Sequence, residues 1–182
     1  LPFVLRGPGF RRFDRGDWPM LVGLGVLGNT VYQVLFVYGI DLTLAGNAAL
    51  MLAVSPVFVT LLSSALRHES IRPAGWIGVV LSLVGIGCVL AGTSNLQFGV
   101  ETLDGDLLML VAAGAWAVYT VGASPLVRRY GALPVTGVTT GIGAVVLLVV
   151  SAPSLAAQDW PTVTPFGWSL LVGSGVLAIG LS

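Results

Sequence analysis

The sequence predicts an all-α membrane protein, a polytopic bundle of helices, on three observations. Of its 182 residues 55% are hydrophobic and only 9% charged, with a mean hydropathy of +0.95; a water-soluble domain carries roughly 25% charged residues. Charge-free apolar runs recur along the chain, each near the length of about 20 residues that a helix needs to cross roughly 30 Å of hydrocarbon. All eight positively charged side chains fall in alternate connections between those runs.

Taken in order, the runs are Pro19–Ile40, Leu42–Leu66, Pro73–Gly92, Leu107–Val127, Leu133–Ala152 and Pro165–Ser182, the last reading as incomplete, and Leu1–Leu5 reads as the tail of a preceding span. Helices are the predicted form. Backbone groups in lipid must pair within their own segment unless a barrel closes, and these runs lack the alternation of barrel strands. Arg6, Arg11, Arg12 and Arg15 precede the first run, Arg67 and Arg72 separate the second from the third, and Arg128 and Arg129 the fourth from the fifth. The other connections hold Asp41, then Glu101, Asp104 and Asp106, then Asp159. The positive-inside rule places the arginine loops in the cytoplasm. Trp18, Trp76, Trp160 and Trp168 flank span ends, as interfacial anchors do.

Zero net charge and a pI of 6.8 argue against a nucleic-acid partner. Cys88 stands alone in an apolar run and reads as a small hydrophobe. The start carries no signal-peptide pattern. Both ends read as cut, so a longer functional unit is expected.

An internal repeat is visible. Trp18–Tyr32 (WPMLVGLGVLGNTVY) aligns without a gap on Trp168–Ser182 (WSLLVGSGVLAIGLS), sharing Trp18/Trp168, Leu21/Leu171, Val22/Val172, Gly23/Gly173, Gly25/Gly175, Val26/Val176 and Leu27/Leu177. An odd number of spans separates the copies, so the second crosses in the opposite sense. Inverted repeats of this kind are used by secondary transporters.

Several stretches resemble the EamA-type transporters of the drug/metabolite transporter superfamily. Residues 46–92 combine small residues, a mid-helix Pro56, Glu69 thirteen positions later, Trp76-x-Gly78 and Gly85-Ile-Gly87, and are similar to that family's fourth and fifth helices. Gly105–Tyr130 (GDLLMLVAAGAWAVYTVGASPLVRRY) is similar to the helix that opens its second half. The resemblance implies a fragment of a ten-helix, inverted-repeat (5+5) transporter. Residues 1–92 would belong to the first half, 93–104 to an extracytoplasmic loop and 105–182 to the second half.

Candidate site residues follow from spacing and depth. Asn29, Tyr32 and Gln33 are spaced i, i+3, i+4 and share a helical face at mid-span, where polar groups are costly unless paired or facing a cavity. They are expected to contact substrate or to bond between helices. Trp116, Tyr119 and Thr120 repeat the spacing in the fourth run, with Trp116 and Tyr119 as cavity walls or as packing. Pro56 donates no N–H and disturbs the Leu52 carbonyl; it reads as a hinge, or as a bend satisfied by groups such as Ser55. Asn47, near the outer end of its span, is expected to bond between helices or to gate. Asp41 is expected to serve the turn between spans. Glu69 matches an acidic position of the family and is expected either to pair with Arg67 or Arg72 as an inner-face latch or to be a solvated surface residue; His68 reads as a solvated loop residue. Gly75, Gly78, Gly85, Gly87, Gly137, Gly141 and Gly143 are expected to admit close helix packing.

No Asp, Glu, Lys, Arg or His falls at mid-depth in any run. A hydrolase would need a nucleophile and base or a metal cluster within reach of each other, and no P-loop is present. The expectation is therefore no enzyme, no metal and no cofactor. The resemblance implies alternating-access movement of small metabolites, amino-acid-like compounds or drugs through a bacterial cytoplasmic (inner) membrane. The partners expected are a small-molecule substrate and the lipid bilayer, with a homodimer left open. A nucleotide-sugar or sugar-phosphate carrier, or a non-transporting scaffold subunit, are the alternatives.

Overall fold

The computed structural model describes residues 13–66, 73–92, 99–157, 164, 166–170 and 173. A 3-10 turn, Arg15–Asp17, leads into α1 (Trp18–Gly25), a π-helical turn (Val26–Val31) and α2 (Tyr32–Leu42). Then come α3 (Ala45–Ala53), α4 (Ser55–Ala65), α5 (Pro73–Gly92), α6 (Leu103–Tyr130) and α7 (Ala132–Ala157). No strand occurs among the described residues. Arg15–Leu42, Ala45–Ala65, Leu103–Tyr130 and Ala132–Ala156 are long and apolar enough to cross a membrane, and α5 carries a shorter apolar stretch, Gly75–Val89. This is the all-α, multi-pass bundle predicted from composition, with the complete predicted runs recovered as helix and the second of them, Leu42–Leu66, interrupted at Thr43–Leu44 and at Val54.

The breaks between helices have local causes. Thr43 and Leu44 leave the helical region, with φ −134° and −79° and extended ψ, and turn the chain from α2 into α3. Asp41, expected to serve this turn, lies instead in the last turn of α2, and the side chain that fixes the turn is Thr43. α3 stops at Ala53 because Pro56 cannot supply the N–H that would continue it. The carbonyl so freed, that of Leu52, accepts the Ser55 hydroxyl at 2.6 Å, as expected of a tolerated bend. Between α6 and α7 the predicted loop shrinks to Gly131, whose φ of +89° a side-chain-bearing residue rarely adopts.

The chain divides into Leu1–Leu147 and Leu148–Ser182. In the first unit α6 is the central element, packed by α1, the π turn and α2, and also by α3 and α4. Its core is Leu21, Leu24, Tyr119, Ala123, Leu126, Tyr130 and Val135. Elsewhere the contacts are made by small residues that let backbones approach, as in membrane bundles where lipid offers no hydrophobic drive between helices. A Cβ on Gly39 would stand 2.7 Å from the Met109 sulfur, and one on Gly105 2.6 Å from the Leu42 carbonyl oxygen. Ile77, Leu81 and Val84 of α5 and Val145 of α7 are exposed, which is the outward apolar surface a lipid solvent requires. The α5 glycines Gly78, Gly85 and Gly87 were expected to admit a packed neighbour, yet none has an atom within 4 Å of its would-be Cβ. The reason is that α5 meets the rest of its unit through α4 alone among the described elements with appreciable contact.

In the second unit the end of α7 is followed by helical residues 166–170. Thr164 starts that helix, its hydroxyl oxygen accepting the Gly167 N–H at 3.2 Å and its carbonyl the Trp168 N–H at 3.0 Å. Trp168 is exposed near this start, as an interfacial anchor would be.

Candidate functional site

α6 carries three groups of polar or aromatic residues along its length. One lies at each end and one in the middle. By a rise of 1.5 Å per residue, Trp116 sits roughly 15 Å from Asp106 and Tyr119 roughly 15 Å from Arg129.

At its start, Asp106 is buried although the sequence places it in an acidic connection. The cause is that α6 begins at Leu103, so Asp104 and Asp106 lie in its first turn, where carboxylates suit the helix dipole. Asp106 Oδ1 accepts the Thr43 hydroxyl at 2.5 Å, and Oδ2 accepts the Thr102 hydroxyl at 3.2 Å and the Asn47 amide at 3.3 Å. Asn47 is fully buried, so of its two expected uses the interhelical bond is the one seen. This knot holds the α2–α3 turn against α6.

At the other end, Arg129 bonds the carboxylates of Asp14 and Asp17, the latter at 2.9 Å. The Tyr130 hydroxyl donates to Asp17 at 2.6 Å and accepts the Asp14 N–H at 3.1 Å. The Phe13 ring lies 4.7 Å from that of Tyr130. The start of the first span and the end of α6 are thus one place, the face that the arginine pattern assigns to both. The arginine pairs are half exposed, and such pairs contribute about 0–1 kcal/mol each.

The middle group contains four of the five residues singled out for substrate contact. The Tyr32 and Trp116 ring centroids are 5.3 Å apart, as are those of Trp116 and Tyr119, and Phe36 stacks on Tyr32 at 6.0 Å. Aromatic pairs at such separations are favourable beyond their buried area. Trp116 remains 40% exposed, so the ladder presents a face rather than a sealed core. Asn29 belongs to the same group by a different route. Its Oδ1 accepts the Thr140 hydroxyl at 3.4 Å, while its amide nitrogen is buried with no hydrogen-bond partner among the described residues. The π turn explains the split: its wider winding turns Asn29 towards α7 and leaves Tyr32 facing α6. Gln33 is half-buried on the same span, and the hydroxyl of Thr120 bonds back to the Trp116 carbonyl at 2.8 Å instead of joining the group.

The sequence reading missed the α7 threonines. Thr139 is fully buried and shares a 3.1 Å bond with the Tyr119 hydroxyl, and the Thr30 hydroxyl donates to the Gly143 carbonyl at 3.0 Å. Their signal was present as Thr136, Thr139 and Thr140 within an otherwise apolar run. Gly28 and Gly143 make the approach possible, since a Cβ on either would overlap Tyr119 or Asn29 respectively. Pro56 lies in the α3–α4 break, away from this group, and Glu69 with its expected partners Arg67 and Arg72 lies outside the described residues. No cluster of metal-ligating side chains occurs among the described residues.

Comparison with known proteins bears on the fold and on the family. A crystal structure of a protein superposes with a TM-score of 0.69 over 96% of this chain and 56% of that one, at 24% identity, which speaks to the fold alone. The chain is 29% identical over 136 residues to "Uncharacterized transporter YdfC" of Bacillus subtilis, covering 75% of this chain and 44% of that protein. It is 30% identical over 146 residues to "Probable terminal-alkyne amino-acid exporter" of Streptantibioticus cattleyicolor, covering 80% and 48%. It is 27% identical over 178 residues to "Uncharacterized transporter sll0355" of Synechocystis, covering 91% and 54%. The chain therefore spans about half the length of the curated relatives it matches. Residues 1–91 match the EamA-like transporter family, half of the sequence and the half that carries the first span, the α3–α4 break and α5. With that match added to the helical, multi-pass architecture, the chain belongs to the EamA-like transporter family.

Proposed function

We propose that the protein is a secondary transporter that moves small metabolites, amino-acid-like compounds or drugs outward by alternating access, with the substrate held against the mid-depth face of the first span and α6. The observation that carries this is the middle group itself. Two amphipathic triplets from distant parts of the sequence converge in Tyr32 and Trp116, and one turn earlier on the same span the Asn29 amide, turned towards α7, keeps a spare N–H. An unused donor at mid-depth is costly, and a substrate oxygen would satisfy it. Gln33 and Tyr119 complete the wall. Relatives named as transporters, one of them as an amino-acid exporter, support the reading and favour transport over catalysis.

The proposed setting is the cytoplasmic membrane of a bacterium, with the arginine-bearing connections inside and the inverted repeat supplying the two halves. Pro56 acts as a hinge and Glu69 as an inner latch, while Asn47 secures the outer end of its span to α6. A sugar-phosphate or nucleotide-sugar carrier is the weaker reading, because such anions favour a buried Lys or Arg and the mid-depth group contains none among its described members.

The test is transport by the full-length protein in vesicles, comparing the parent with Asn29→Leu, Gln33→Leu and Trp116→Leu. Loss of at least one transported solute in Trp116→Leu and Asn29→Leu, with normal membrane insertion, is the expected result. If all three variants move every solute as the parent does, the substrate does not lie on this face.

A further inference from the structure

The aromatic ladder at mid-depth is anchored from a helix that contributes no ring to it. Thr139 of α7 is fully buried. Its hydroxyl carries one hydrogen, and the Val135 and Thr136 carbonyls of the same helix accept it at 3.0 and 3.1 Å. In the 3.1 Å bond between Thr139 and Tyr119 the Tyr119 hydroxyl therefore donates and Thr139 accepts. Tyr119 is 8% exposed, and among the described residues Thr139 is the one hydrogen-bond partner its hydroxyl has.

The same ring is confined elsewhere too. It lies on Gly28 of the π turn, where a Cβ would overlap it, and it belongs to the buried cluster that includes Leu24 and Ala123. One turn earlier on α6, and on the same face of the helix, the Trp116 ring stands 5.3 Å from it, centroid to centroid. Trp116, 40% exposed, is the neighbour with room to give. At the far end of the ladder Tyr32 and Phe36 are only half-buried. The firm end is thus Tyr119, and a hydroxyl on α7 is what fixes it.

We propose that Thr139 is a positioning residue of the transport site. By holding the Tyr119 hydroxyl it fixes the ring against which Trp116 packs, and so sets the orientation in which Trp116 meets the substrate. This rests on the transport reading above and adds how the binding face keeps its shape. Thr139→Val nearly preserves the side-chain shape but leaves the buried Tyr119 donor without its acceptor. The Tyr119 ring then shifts into the space of Trp116. Removing both hydroxyls together leaves two apolar groups in contact, a much smaller disturbance than stranding one of them.

The test uses full-length protein carrying fluorotryptophan, with the Trp116 fluorine resonance identified by its loss in Trp116→Phe. Radiolabelled L-amino acids are the transport probes in liposomes, and the resonance is read whether or not the parent moves any of them. Thr139→Val is expected to shift the Trp116 resonance and to raise KM about tenfold, with the maximal rate within about twofold of the parent. Thr139→Ser keeps the hydroxyl and should match the parent in both. Tyr119→Phe cuts the same bond without stranding a donor, so it should move both readouts less, and it serves where Thr139→Val fails to insert. The double variant Tyr119→Phe/Thr139→Val should resemble Tyr119→Phe and be milder than Thr139→Val alone, as two groups that act as one link require. An unmoved Trp116 resonance, or effects that simply add in the double variant, overturns the positioning role and leaves the transport reading standing. A resonance that shifts in Thr139→Val and recovers in the double variant, with KM parental throughout, has the other meaning: Thr139 orients Trp116, and the substrate does not bind there.

Discussion

At Asp106 three donors converge on one carboxylate, from Thr43, Thr102 and Asn47. Hydrogen bonds to a charged group are worth about 1.5–3 kcal/mol each, and removing the acceptor leaves its donors with a desolvation cost. Asp106→Leu is therefore expected to lower unfolding stability by about 2–4 kcal/mol, read as a lower midpoint of unfolding in detergent. Asp106→Asn keeps an acceptor oxygen and should lose less. Equal stability of Asp106→Leu and the parent would show that the knot holds nothing. The residue's type and position are legible in the sequence, but its burial is not. A carboxylate two residues after Asp104 reads as part of a solvated loop until the helix is known to begin at Leu103 and the α2–α3 turn to fold over it. Asn29, Tyr32, Trp116 and Tyr119 were legible because polar or aromatic groups stand out at mid-depth in a charge-free run. Thr139 and Thr140 were not, because a hydroxyl can satisfy itself on its own helix, as Thr120 does.

The helices were legible because lipid leaves no alternative for a long apolar run, and their ends fell where charges, Gly131 or Pro56 interrupt. Which glycines matter could not be read the same way. Gly28 and Gly114 look alike in sequence, yet a Cβ on Gly28 would overlap the Tyr119 ring and one on Gly114 would meet nothing within 4 Å. Ala is favoured over Gly inside a helix by about 0.5–1 kcal/mol, so Gly114→Ala should be neutral or slightly stabilising. Gly28→Ala must force apart the π turn and α6, and overpacking of this kind costs about 1–3 kcal/mol. The pair is compared by unfolding midpoint, and an unaffected Gly28→Ala would mean that the first span and α6 are not in close contact. The π turn itself has no sequence signature; what accompanies it in the structure is contact with α6 and α7, the Thr30–Gly143 bond among them. A π turn in mid-helix often marks a functional site, and here it sends Asn29 and Tyr32 to different neighbours.

For the whole molecule the arginines make the strongest statement. A charge crosses hydrocarbon with difficulty, so short connections rich in Arg stay on the side where the chain is made. All eight positive residues lie in alternate connections, and Arg129 reaches back to Asp14 and Asp17 at the start of the first span. That contact joins two connections on one face, which an odd number of crossings between them would forbid. Topology mapping can therefore decide the orientation with two reporters. In a Cys88→Ser background, Val100→Cys sits just before α6 and is 90% exposed, and Leu133→Cys sits just after Gly131 and is 74% exposed. A membrane-impermeant maleimide applied to intact cells should label Val100→Cys and should reach Leu133→Cys only after permeabilisation. The reverse pattern would put the arginines outside. Labelling of both in intact cells would mean that α6 does not cross the membrane, a result its 28 residues and its knots at opposite ends leave no room for.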